Sequence, residues 1–544
     1  MKKYLILAVL FLYSAALQTA AAKNIDEERE IIFKAMNDEM TRSVKNLKAK
    51  GMQKPYYIAY QVNLQDYFNV KTFMGEEIAT SVSKGDVSVN VMMRIGNKQH
   101  DNSFFENTVV STVEEQLPSA SYDSITKALW LKTDEVYKQA LDQYTKKEAY
   151  FKKKEIKQEV PDFSQAEISS FTEDFSFKPF DKNYLIDLAK QMSEQGNVKE
   201  LKKFYTNISV LQGPIFYLSS EGAKYVRDNS VVAIYLSAQA DTPQGFPLSS
   251  SKTLIYKDVD ELPSQEELIK TAKKFSLEMQ AAVQSPKGEA FIGPVLLEGE
   301  AASYLFKTAF VKNAVRPKKV YSLSSEKDYS MGEFAKKKGL KIMPVDFDVT
   351  DEPDQQTFNG KKLLGHYGLD DEGVVPSKIQ IITKGKLTDL PATRSSGQTN
   401  GHARASLYES TLHPHAFISN LFFRPQKTLN KKQLKIKLLQ ICRKENLDYC
   451  YIIRRFDNNN IIAYKIDAKT GEETLMHGFE SPAISTRTLR DIVASGNDFT
   501  LYNFYSDSAP AYSVISPSVI LKELELKQSQ TENKKPPKLE KPEL

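Results

Sequence analysis

Phe291-Ile292-Gly293-Pro294-Val295-Leu296-Leu297-Glu298-Gly299-Glu300-Ala301-Ala302-Ser303 reads as a strand running into a helix. The first seven residues are a short apolar run of strand length. Beyond them Leu297, Ala301, Leu305 and Thr308 recur every three or four positions, with Phe306 and Ala309 beside them. That spacing belongs to a helix laying one face on a sheet. Glu298 and Glu300 stand at its start, where the helix dipole favours negative charge. C-terminal to this unit the pattern predicts strands over 341–349, 378–383, 451–455 and 461–466, turns at Lys384-Gly385-Lys386 and Lys469-Thr470-Gly471, and a helix over 431–446.

Toward the N-terminus, Ile32, Met36, Met40, Val44 and Leu47 mark a helix over 25–50 that Gly51 stops. Strands are predicted over 56–62, 87–95, 208–211, 215–219 and 231–236, and helices over 124–154, 185–204 and 265–283. The polar, Pro- and Ser-bearing segment 239–251 reads as a loop. Helices and strands come in runs, without regular βαβ alternation or a fixed repeat, so the fold class is α+β.

The 544 residues include 74 Lys+Arg and 69 Asp+Glu, a formal net charge of +5, with 41% hydrophobic residues. These are globular proportions. The charge is spread evenly, without the basic stripe on which a nucleic-acid binder relies, so no nucleic-acid partner is expected. Met1-Lys2-Lys3, the apolar run 4–17 and Ala20-Ala21-Ala22 read as a signal peptide over 1–22. No cysteine near the cleavage site carries a lipid and no second apolar run reaches spanning length, so a periplasmic or extracellular location without a membrane span is expected. Cys442 and Cys450 are the only cysteines and are expected to be buried and unpaired. The expected units are 23–175, an N-terminal α/β domain; 176–287, a middle domain; 288–526, a β-rich C-terminal domain; and 527–544, a disordered tail rich in Lys, Pro and Glu.

Candidate chemistry is sparse. Of six histidines only His413 and His415 lie close together; with His402 they make a speculative three-imidazole set, against the simpler reading of a Pro-centred turn. Ser249-Ser250-Ser251-Lys252 and Lys469-Thr470-Gly471 match two of the three penicillin-binding signatures, but the S-D-N element is missing and Ser249 does not open a helix. Two polar turns stand out. Gly368-Leu369-Asp370-Asp371-Glu372-Gly373 packs three carboxylates between glycines, suited to a cation or a peptide amine unless it is a solvated turn. The stretch 394–404 combines Arg394, Asn400, His402 and Arg404 with glycines, suited to a carboxylate or an acidic partner loop unless it is a long surface turn.

These residues carry a resemblance. Gly293 to Ala302 as quoted above, then Gly368 to Gly373 with Lys384-Gly385-Lys386-Leu387, then Thr399-Asn400-Gly401-His402-Ala403-Arg404 resemble, in order, the TldD/PmbA family, also called TldD/TldE proteins, a group of zinc peptidases and their non-catalytic relatives. Pro55-Tyr56-Tyr57-Ile58 and Ala128-Leu129-Trp130 resemble its secreted members. The resemblance implies an N-terminal α/β domain, a middle segment, a C-terminal domain of strongly curved antiparallel sheets, and a dimer enclosing a cavity. Active members of the family place a His-Glu-x-x-x-His helix directly after the strand that here ends at Leu297. This chain has Glu298 and Ser303 at the imidazole positions, so no catalytic residue, metal or other cofactor is expected; Glu298, Glu300 and Ser303 mark a degenerate motif.

Two functional readings stand from the sequence. In the first the chain is a non-catalytic TldE/PmbA-like subunit that pairs with a zinc-bearing TldD-like paralogue, or with itself, over an unfolded peptide, with Asp370, Asp371, Glu372, Arg394, Asn400, His402 and Arg404 at the cavity or the partner contact. In the second it is a self-sufficient metallopeptidase with ligands drawn from Glu298, Glu300, the acidic turn and His402. A weaker third reading is an envelope binding protein without enzymatic activity.

Overall fold

The computed structural model describes residues 25–48, 51–106, 110–323, 332–405, 414–456, 461–506 and 509–531. The signal segment, His413 and the chain beyond 531 lie outside the described residues. The architecture is α+β.

The first half is built on one nine-stranded sheet. Helix α1 (Ile25–Asn46) precedes β1 (Pro55–Phe73) and β2 (Glu76–Ile95), an antiparallel hairpin far longer than the two segments legible in the sequence. β3 (Ser111–Leu117) leads into α2 (Tyr122–Lys154), which Ser121 caps and which ends on Glu155 in the left-handed conformation behind Lys152, Lys153 and Lys154. β4 (Ser170–Thr172), α3 (Lys182–Glu194), β5 (Leu201–Gln212), β6 (Pro214–Ser219), β7 (Lys224–Asp228), β8 (Val231–Asp241), β9 (Pro247–Tyr256) and α4 (Gln265–Gln284) follow.

β1 organises this sheet. It pairs with β2 along one edge and with β6 and then β5 along the other. Its alternate residues divide the work, as a period of two requires. Ile58, Tyr60, Val62 and Leu64 pack against α1 and α2, and Phe68 and Val70 pack against α3 and α4. Tyr57 and Ala59 face the other way, toward Tyr217 and Tyr225 of the same sheet and Leu369 of the second half.

That continuity corrects the expected boundary at 175/176. β4 lies before it and pairs in parallel with β7 after it, so residues 55–256 share one sheet. Three element readings also change. Residues 201–204, read as the end of a helix, instead open strand β5, whose predicted part 208–211 stands, because Leu201, Phe204, Ile208 and Val210 fill the core under α3 and α4. Segment 239–251 is not a loop but the tip of the β8–β9 hairpin. Of 341–349 only the end is strand (Phe347–Asp351), since Ile342 and Met343 both donate to the Gly385 carbonyl at a turn.

β10 (Phe291–Leu297) opens the second half and sits in a six-stranded sheet between Tyr449–Ile453 and Val519–Leu526. A second six-stranded sheet contains Phe347–Asp351, Ile379–Thr383, Asn420–Pro425 and Ala509–Ser516. Helix α5 (Glu300–Phe310) is packed among residues of both. Its Phe306 stacks on Phe423 with centroids 4.0 Å apart. On the outer face of the first sheet, α6 (Lys431–Lys444) begins with a reciprocal Asn430–Gln433 cap and buries Leu434 and Leu438.

Cys442 of α6 and Cys450 of the next strand form a disulfide across 6.1 Å between Cα atoms, correcting the expectation of two free thiols. The bond closes a short loop, separation 8. Its reduction is expected to lower stability by about 2–3 kcal/mol on the chain-entropy model. Urea unfolding with and without reductant measures the loss. The expected tail also starts later than Lys527. Gln528 donates to the Gly288 carbonyl and Ser529 is buried, so the chain stays fastened through 529.

A buried ionic cluster ties the segment after α2 to the sheet. Arg94 pairs with Asp101 at 2.9 Å and Lys147 with Asp162 at 2.6 Å. Burial pushes the Asp101 carboxyl up, but Arg94, Lys147 and hydrogen bonds from Ser103 and Tyr56 outweigh it and leave Asp101 below its ordinary 3.8. A depressed carboxyl supports the fold fully above its unfolded value and loses that support as pH falls through the folded one. The urea midpoint is therefore expected to drop as pH is taken below about 4, and Arg94→Met should make that acid limb shallower while lowering the neutral plateau.

Candidate functional site

The two polar turns singled out in the sequence meet, and they meet at the joint between the halves. Gly373 permits the approach: its φ is +79°, and a Cβ there would lie 2.4 Å from that of Ala223. Asp370, Asp371 and Glu372 are all buried, so the acidic turn is not a solvated one. Asp370 Oδ1 accepts from the backbone N–H of Glu372 and of Val374, and its Oδ2 from that of Ala403. Burial and the neighbouring Glu372 push its carboxyl well up, against the pull of those three donors. Asp371 Oδ1 accepts from the Tyr225 hydroxyl at 3.0 Å and Arg227 at 2.7 Å, and Oδ2 from the Ala405 N–H at 2.6 Å. Glu372 Oε2 accepts from the Arg394 N–H, and burial raises its carboxyl although Arg394 opposes the shift. A cation would have to displace most of these donors.

Arg394 is fully buried and crosses the joint. Nη1 donates to Glu221 at 2.6 Å, Nε donates to the Ser164 carbonyl at 2.8 Å, and the guanidinium lies 3.6 Å from the centroid of Phe163. Arg94 approaches the same ring at 4.1 Å. Asn400 is a local brace, accepting from Ala392 N–H and donating to the Leu390 carbonyl. His402 Nδ1 lies 3.0 Å from the Asn400 carbonyl and Nε2 3.3 Å from Asp351 Oδ2, with both side chains fully buried. His415 pairs with Arg404 across a short ladder, whereas the His402 ring is turned to Asp351. No three-imidazole set forms among the described residues. Arg404 donates to the Ile418 carbonyl and lies 4.7 Å over Tyr367. Tyr225, Arg227, Glu221, Phe163 and Asp351 complete this network; each is distant in sequence from the turn it serves, and no local pattern marks it.

The degenerate motif lies elsewhere, at the junction of β10 and α5. Glu298 accepts from Arg454 Nε at 2.9 Å and lies 3.6 Å from Lys431. Glu300 pairs with Lys252 of β9. Ser303 is fully buried and shares a 3.0 Å hydrogen bond with Ser516. Gly299 has φ +52° and ψ −116°, so the helix begins only at Glu300. At Gly299 this backbone takes a conformation that an L side chain rarely adopts, so the glutamate that the sequence resemblance implies there does not fit it. Carboxylates committed to Arg and Lys, a buried Ser–Ser pair and a left-handed glycine do not fit a zinc ion, which takes its nitrogen ligands from imidazole. No group of three or more His, Cys, Asp or Glu is placed to hold a metal ion among the described residues. The penicillin-binding match dissolves too: Ser249 and Lys252 lie in strand β9, and Thr470 in a turn around Asp467.

Two six-stranded sheets with a helix between them, joined at the Asp370–Glu372 turn to a helix-covered sheet, make up the fold on which the comparisons bear. Residues 292–441 match the family model of the PmbA/TldA metallopeptidase C-terminal domain. No curated protein matches it in sequence. Among solved structures it is similar to a Thermotoga maritima protein described as a candidate modulator of a DNA gyrase (TM-score 0.59, 13% identity, 91% of this chain and 100% of that one). TldE from Thermococcus kodakarensis is also similar (0.57, 13%, 91% and 100%). So is a Bacteroides thetaiotaomicron protein with a like description (0.55, 11%, 92% and 99%). At such identities the likeness is one of fold.

Proposed function

We propose that the chain is an exported, non-catalytic TldE/PmbA-like subunit that pairs with a zinc-bearing paralogue and helps enclose an unfolded peptide. One observation carries the reading. The β10–α5 junction, where the family's active members hold zinc, presents Glu298 bound to Arg454, Gly299 in the left-handed region and Ser303 buried against Ser516. A fold shared with TldE from Thermococcus kodakarensis across 91% of the chain, with no zinc ligands at that junction, supports the reading of a subunit whose partner does the chemistry. Export is supported by the signal-like start of the sequence and by the Cys442–Cys450 disulfide, a bond that persists in oxidising compartments. The sequence readings of a homodimer and of a free-standing binding protein become outcomes of the same test.

Affinity capture of the tagged mature protein from its native extract, followed by mass spectrometry, tests the proposal. The expected result is a family member carrying His-Glu-x-x-x-His. Recovery of the bait alone, or only as a self-dimer, overturns it.

A further inference from the structure

A cleft of about 560 Å³ opens beside the joint, between the β4 and β7–β8 region of the first half and segments 356–366 and 404–405 of the second. Arg227, Lys257, Lys362 and Arg404 line it together with the carboxylates Glu173, Asp174, Asp228 and Asp371, and three of the cations are neutralised within the protein. Arg227 pairs with Asp371 at 2.7 Å, Lys257 with Asp228 at 3.2 Å and Lys362 with Asp258 at 2.5 Å. Arg404 is the exception. It is 8% exposed, lines the cleft, and forms no ion pair with a carboxylate among the described residues. The acids nearest in the network are engaged elsewhere: Asp371 with Arg227, Tyr225 and the Ala405 N–H, and Asp351 with His402 and the Ser419 N–H and hydroxyl. Tyr367 and the Ile418 carbonyl hold the guanidinium in place without neutralising it.

A buried charge without a counter-ion is costly, and a guanidinium fork matches a carboxylate in plane and in spacing. We infer that Arg404 is a carboxylate-binding residue and that this cleft seats the C-terminal end of a peptide, its free α-carboxylate supplying a counter-charge that Arg404 does not receive among the described residues. The ligand class rests on the peptide-handling reading above. The anchoring by Arg404 rests on the cleft alone. It assigns the subunit a substrate-holding role at a place separate from the β10–α5 junction.

The test uses the mature full-length protein alone and an N-terminally fluorescein-labelled alanine hexapeptide, made as the free acid and as the C-terminal amide. Binding is read by anisotropy at low salt. The acid is expected to bind about 10- to 100-fold more tightly than the amide, the range of a charged hydrogen-bonded contact. Arg404→Gln should abolish that difference, and Arg404→Lys should retain part of it. The comparison in the unsubstituted protein stands even if a variant misfolds. Equal binding of the two peptides, no binding of the acid, or a preference that persists in a folded Arg404→Gln protein overturns the inference. Because no partner is present, failure here is distinct from failure to capture a paralogue.

Discussion

Arg394→Ala is expected to destabilise the protein by about 3–5 kcal/mol, the cost of breaking a buried pair and stranding its partner. Arg394 is fully buried, whereas Glu221 retains 18% exposure, so water reaches only one side of the pair. Burial alone would raise the Glu221 carboxyl, yet Arg394 and Lys98 hold it below the ordinary carboxylate range. The same substitution empties the space against Phe163 and removes the donor to the Ser164 carbonyl. All three contacts cross from the second half to the first, so the loss falls on the joint. Urea unfolding followed by tryptophan fluorescence suits the measurement, because the single Trp130 lies on α2 in the first half. A fall of less than about 1 kcal/mol, the size of a surface pair, would show that the joint does not depend on this residue.

Asp371→Ala is expected to cost about 2–4 kcal/mol, because it removes a buried carboxylate and leaves Arg227, 15% exposed, unpaired beside Arg404. It also removes the acceptor for Tyr225 and for the Ala405 N–H. Asp371→Asn separates the contributions. The amide oxygen can keep accepting one or two of these bonds while the charge is gone. If the charge is what matters, Asn should recover only a minor part of the loss, and added salt should not restore the rest, since buried pairs are little screened. Recovery of most of the stability by Asn would instead assign the role to hydrogen bonding.

The strand-to-helix unit at 291–310 was legible because an apolar run and a helical repeat sit side by side, and α1, α2, α4 and α6 were legible for the same reason. What escaped depends on contacts between distant residues. Ser249, Ser250 and Ser251 look like a loop, yet they pair with Gln239, Ala238 and Ser237 in a half-exposed hairpin. Tyr205, Thr206 and Asn207 carry no helix-breaking signal, and only their pairing with β1 and β8 makes them strand. Cys442 and Cys450 reveal nothing of their pairing until α6 and the strand after it are packed together.

The candidate site shows the same division. Its two turns stood out because glycines beside clustered charges are unusual, and the sequence placed Asp370, Asp371, Glu372, Arg394, His402 and Arg404 in them. Their partners Glu221, Tyr225 and Arg227 belong to strands and turns with ordinary alternation, so nothing local announced that the carboxylates face inward. The missing imidazoles were plain from composition. The left-handed Gly299 was not, and it is the stronger argument, because restoring three side chains would still leave the backbone in the wrong conformation for the glutamate.

The proposal rests on this chain not itself carrying the zinc chemistry of the peptidases it resembles. The most direct measurement is elemental mass spectrometry of the mature protein purified alone, with cleavage of an unstructured peptide followed in the same sample before and after chelation. The account predicts sub-stoichiometric zinc and no chelator-sensitive cleavage until a His-Glu-x-x-x-His paralogue is added. Near-stoichiometric zinc with chelator-sensitive cleavage by the lone chain would contradict it.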